Sequence, residues 1–186
     1  MVPLTALWLP ILLSAVIVFV ASSIMHMVLP IHKGDYHKIP EEDRVLDSLR
    51  GAGVTSGRIY FFPYTTHKEM KSPAVVERFK RGPVGLLTLI PSGPPKMGKN
   101  LVQWFLYCIF IAIFVGYLTG RTRNPGTAYL EVFRIAGTTA FLGYAAAQIQ
   151  DSIWRAQPWT VTVKHVFDGL IYGLLTGGTF GWLWPR

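Results

Sequence analysis

The chain has little charge. Only 15% of its 186 residues are Asp, Glu, Lys or Arg, against roughly 25% in an ordinary soluble domain. From Met1 to Ile31 there are none. Cysteine is nearly absent as well. A lone Cys108 excludes an intramolecular disulfide framework and any paired-thiolate metal or redox motif. The hydrolytic signatures G-x-S-x-G and H-E-x-x-H are missing, so no catalytic residue and no enzymatic activity are expected. Aromatic and basic residues do not interleave as on a nucleic-acid surface, and no repeat or low-complexity tract occurs. What remains is apolar: 51% hydrophobic residues and a mean hydropathy of +0.35. That balance excludes a disordered chain, argues against a soluble globular domain and describes an integral membrane protein.

Four uncharged runs carry the apolar content: Leu4 to Val28, Leu101 to Gly120, Ile135 to Gln150 and Gly169 to Pro185. A helix crosses a bilayer with about 20 apolar residues. The first two runs meet that length alone. The last two reach it only by taking in Glu131 and Arg134, and His165 and Asp168. The sequence therefore predicts an all-α membrane fold with four transmembrane helices, at 5–28, 101–120, 131–150 and 165–184. Helix 1 occupies 1–30, a small α+β insertion 31–100 and a three-helix bundle 101–186. The first run lacks a basic n-region and is too long for a signal peptide, so it reads as an uncleaved anchor. Segment 31–100 holds 12 of the 18 Lys and Arg. The positive-inside rule then makes it cytoplasmic, with both termini outside. The expected location is a bacterial inner membrane. The net charge of +8 reports this topology rather than a nucleic-acid partner.

Segment 31–100 reads as helix, strand, helix, strand. Pro40, Glu41, Glu42 and Asp43 open a helix that Gly51 and Gly53 stop. Arg58 to Phe62 is a strand. Ser72 and Pro73 cap a second helix through Arg81, and Val84 to Ile90 is a second strand. A strand–helix–strand unit predicts parallel pairing with a right-handed crossover. Two strands alone are marginal, so the unit is expected to lean on another surface.

Four features carry candidate chemistry. Gly169, Gly173, Gly177 and Gly181 recur at every fourth position, and Cys108, Ala112, Gly116 and Gly120 repeat the spacing in the second run. Thr139, Gly143 and Ala147 do so in the third. Such stripes let helices approach closely, either within one protomer or in a homo-oligomer. The loop Gly93 to Lys99 matches G-x-x-x-x-G-K, but Asn100 replaces the magnesium-binding hydroxyl and the segment is too short for an NTPase sheet. Lys96 and Lys99 suit an anionic lipid head group instead. Met25, His26 and His32 are ligand types for copper or zinc. Consecutive helix positions point apart, however, and Pro30 intervenes, so no metal and no cofactor are expected. Finally, Glu131 with Arg134 and His165 with Asp168 are spaced for pairing on one helix face, and Asp151 with Gln148, Arg155 and Lys164 is expected to join the latter in a polar cluster.

The resulting expectation is a small polytopic membrane protein acting by self-association, or as an accessory subunit of a membrane complex, surrounded by anionic lipid. The alternative is an oligomeric ion or small-solute channel lined by the glycine-striped fourth helix, with polar stations at Glu131, His165 and Asp168.

Overall fold

The computed structural model describes residues 1–186, which divide into two compact units. Unit 1 comprises Met1–Asp35 and Lys96–Arg186; unit 2 is Tyr36–Pro95.

In unit 1 the uncharged N-terminal run forms helix α1 (Leu4–Val28). Its last turn, Ile24–Val28, widens to π geometry. Leu29 then takes an extended conformation (φ −78°, ψ 146°), because the ring of Pro30 disfavours helix at the preceding residue. A single 3₁₀ turn, Pro30–His32, follows. Helix α4 (Met97–Thr122) packs along α1. Helix α5 (Tyr129–Phe141) runs into a second π turn, Leu142–Ala146, and then into α6 (Gln148–Arg155). Helix α7 (Trp159–Trp182) packs on α1 and on α5. Leu7, Val18, Cys108, Val115, Val132 and Phe180 form the fully buried centre.

The expected four spans are corrected. Two helices are long and apolar enough to cross a membrane: α1, and α4 of 26 residues. The run 131–150 is divided among α5, a π turn and α6. Helix α7 has the length, at 24 residues. Its five glycines, four threonines, Lys164 and Asp168 hold its apolarity too low.

The glycine edge of α7 is occupied within the chain. A Cβ on Gly177 would lie 2.9 Å from the carbonyl oxygen of Phe133 and 3.0 Å from Cα of Gly137. One on Gly169 would lie 2.7 Å from the Ala145 methyl, and one on Gly181 2.7 Å from the Tyr129 ring. Gly173 sits as tightly against Gly137 and Phe141. Gly120 and Gly116 do the same for the N-terminal end of α1, where a Gly120 Cβ would meet the Val2 carbonyl at 2.5 Å. Gly143 is covered by Ile111.

Unit 2 contains α2 (Glu42–Gly51), β1 (Ile59–Phe62), α3 (Pro73–Arg81) and β2 (Gly85–Thr88). The Ser72 side chain caps α3 by accepting from the Val75 amide. The strands pair antiparallel, Tyr60 opposite Leu87 and Phe62 opposite Gly85, which corrects the expected parallel unit. Parallel strands persist where both faces of a sheet are covered. Here no side chain between Tyr36 and Pro95 is fully buried, so the antiparallel ladder with its better hydrogen bonds prevails.

Candidate metal centre

Pro30 does not separate His32 from His26, as the sequence suggested. The reversal after α1 brings the two imidazoles face to face, with ring centroids 4.2 Å apart and planes 6° from parallel. The π turn carries His26, and the 3₁₀ turn carries His32. From α7, His165 and Asp168 enter the same space, one helical turn apart on one face. The donor atoms of His26, His32, His165 and Asp168 all lie within 4.8 Å of one another. Met25 is buried elsewhere in the core and is not part of this set.

Asp168 is the hub. Its Oδ2 stands 3.0 Å from His32 Nε2, 3.7 Å from His26 Nε2 and 3.7 Å from His165 Nδ1. The side chain is 3% exposed, and neither carboxylate oxygen makes a hydrogen bond. The tautomers of two of the histidines follow from their other ring nitrogens. His26 Nδ1 lies 3.1 Å from the Ser22 carbonyl oxygen, which only accepts, so this nitrogen donates. His32 Nδ1 lies 2.6 Å from Oδ2 of Asp35 and donates to that carboxylate. When both rings are neutral, their Nε2 atoms present lone pairs to one carboxylate oxygen, and His32 Nε2 is itself buried without a hydrogen bond. Two imidazole lone pairs converging on a carboxylate oxygen repel it unless a proton or a metal cation lies between them. A tetrahedral zinc ion with bonds of about 2.0–2.1 Å separates its ligand atoms by about 3.4 Å. The three distances at Asp168 bracket that value.

An outer shell is present too. Lys164 Nζ donates to Asp35 Oδ1 at 2.5 Å, so Asp35 ties the His32 turn to the start of α7. Burial pushes the Asp35 carboxyl up, but hydrogen bonds from Lys164 and His32 outweigh it and hold the group below its ordinary value. Ligating histidines characteristically pass their second N–H to a carboxylate or a carbonyl in this way.

A cavity of about 600 Å³ adjoins the cluster, and His26, His165 and Asp168 form one wall of it. Trp104, Tyr144 and Tyr172 form an aromatic group beside it, with Trp104 5.6 Å and Tyr144 6.0 Å from the Tyr107 ring. The Trp104 indole N–H donates to the Ser22 hydroxyl at 2.7 Å. Tyr107 donates to the Gly143 carbonyl oxygen at 2.9 Å. The second π turn places Tyr144 here.

The other polar positions go elsewhere. Glu131 pairs at 3.8 Å with Arg123, just beyond the end of α4, rather than with Arg134. Asp151 pairs with Arg155 at 3.3 Å, and Lys164 turns to Asp35. Of the expected cluster of Gln148, Asp151, Arg155 and Lys164 with His165 and Asp168, Gln148 lines the same cavity as the last two, while Asp151, Arg155 and Lys164 are replaced beside them by the two α1-end histidines. Lys96 and Lys99 are exposed at the start of α4. Comparison with family models, with curated proteins and with solved structures finds no match.

Proposed function

We propose that this chain is a metal-binding membrane protein. His26, His32, His165 and Asp168 hold one divalent transition-metal ion at the end of α1. The observation that carries the reading is the buried, unbonded Asp168 carboxylate facing the Nε2 atoms of two imidazoles. Three imidazoles and a carboxylate, with no thiolate or thioether, form a borderline donor set that suits Zn²⁺ better than Cu⁺. Membrane insertion is supported by the apolar side chains that α1 and α4 leave exposed, among them Leu9, Leu12, Val16, Leu106, Phe110 and Phe114. A contiguous patch of that kind is rare on a water-facing surface. The excess of Lys and Arg between the two helices favours a cytoplasmic position for residues 36–95.

Purification in detergent with stoichiometric metal analysis, followed by zinc titration of the stripped protein, tests the reading. One zinc per chain is expected, bound about a hundredfold more weakly in Asp168→Asn. Absence of saturable zinc binding would refute it. The same preparation tests membrane insertion: the protein should resist extraction from membranes by alkaline carbonate, and release into the supernatant would oppose it.

A further inference from the structure

We infer that the cavity beside the metal centre binds a single-chain amphiphile whose carboxylate or carbonyl oxygen adds a fifth ligand to the ion. This rests on the metal reading above. The inference starts from Tyr172, one turn beyond Asp168 on α7. Its side chain is 4% exposed, it lines the cavity, and its hydroxyl makes no hydrogen bond. A buried O–H without a partner costs free energy, so the position calls for an acceptor that arrives from outside. An oxygen ligand at the metal is such an acceptor. Asp168 Oδ1 is also buried and unbonded, so the polar end of the cavity has spare capacity for both a cation and a hydrogen-bonded head group.

The remaining wall is mainly apolar, with Ser22, Ser23, Asn100 and Gln148 set among the apolar side chains. Trp104 and Leu101 line it, and Met27 and Met97 stand at its exposed margin, 69% and 58% exposed. Methionine side chains adapt to chains of varied shape. The volume falls within the range of small-ligand sites, about 300–1,000 Å³. His32 is absent from the lining, whereas His26 and His165 belong to it. An ion held by the four ligands would therefore face the cavity on the His26 and His165 side. A polar head at that side and an alkyl chain along Trp104 and the methionines satisfy both ends of the space.

The test uses the full chain in nanodiscs, loaded with Co²⁺ and titrated with decanoate and with acetate. Co²⁺ uptake, measured first, reports on the metal reading alone. The visible Co²⁺ bands then report on ligand entry. Decanoate is expected to shift the bands saturably, at a concentration at least about a hundredfold below that of acetate. Tyr172→Phe is expected to take up Co²⁺ normally and to need about tenfold more decanoate. Normal Co²⁺ uptake with bands that ignore decanoate, or that respond equally to acetate, would overturn the amphiphile while leaving the metal site standing. Failure of Co²⁺ uptake would overturn both. A Tyr172→Phe titration identical to the parent would remove the hydroxyl from the site and with it the inference.

Discussion

Asp168→Asn separates the metal reading from an ordinary hydrogen-bonded cluster by the sign of its effects. In the metal-free protein the substitution removes a buried carboxylate whose two oxygens have no hydrogen-bond donor and which faces two lone pairs. Leaving a buried polar group unsatisfied costs about 1–3 kcal/mol, more when it is charged. The asparagine keeps the shape and supplies donors to those lone pairs. For a chain of this size 1 kcal/mol moves Tm by about 2–4 °C, so the apo variant is expected to melt about 5 °C above the parent. With zinc the order reverses. Ligand at a hundred times its Kd stabilises by about 2.7 kcal/mol, a rise of about 5–10 °C in the parent. Four-ligand zinc sites bind with about 10–16 kcal/mol. Losing the one anionic ligand removes about 3 kcal/mol of that, or about a hundredfold in affinity. At the same zinc concentration the variant then gains only about 1 °C. Thermal unfolding in one detergent, with and without zinc, reads both numbers. An apo variant that melts below the parent would show that Asp168 accepts hydrogen bonds from protonated histidines. A variant that keeps the full zinc shift would remove Asp168 as a ligand.

Three further outcomes follow from the geometry. Asp35→Asn leaves all four ligands in place but loosens His32, and zinc titration should show an affinity about 10–100-fold weaker; an unchanged Kd would deny the outer shell its role. Gly177→Ala drives a methyl into the Phe133 carbonyl and Gly137 and should destabilise by about 1–3 kcal/mol. Gly178→Ala meets only the Tyr129 hydroxyl at 3.6 Å and should be neutral or stabilising by up to about 1 kcal/mol. Equal melting temperatures for the two variants would contradict the α5–α7 contact. Tyr107→Phe loses one hydrogen bond to the Gly143 carbonyl and should cost about 1 kcal/mol or less in chemical unfolding, while a large loss would mean that this tyrosine anchors the π turn itself.

The parts of the fold that local chemistry decides were legible in the sequence. The uncharged runs mark α1 and α4, Pro30 marks where α1 stops, and Ser72 with Pro73 marks the start of α3. The ladder of unit 2 was legible in position but not in direction, because direction depends on what covers the sheet. The glycines of α7 announced a close contact without naming α5 as its partner, since spacing describes one surface and not the surface it meets. The metal centre was visible only as two separate features. The histidines at the end of α1 stand out for their ligand chemistry, and His165 with Asp168 for their spacing. Their convergence depends on a π turn at Ile24–Val28 and on the reversal at Pro30, and no residue pattern here advertises the π turn. Tyr172 carried no signal in the sequence, because a tyrosine within an apolar helix is ordinary until its hydroxyl is found buried and unbonded.

The central claim is that His26, His32, His165 and Asp168 share one ion, and X-ray absorption on the zinc-loaded chain tests it most directly. The account predicts one zinc per chain, a first shell of nitrogen and oxygen at about 2.0–2.1 Å with the multiple-scattering pattern of three imidazoles, and no sulfur at about 2.3 Å. A shell with fewer than three imidazoles, a sulfur ligand, or an identical spectrum from the Asp168→Asn protein would contradict it.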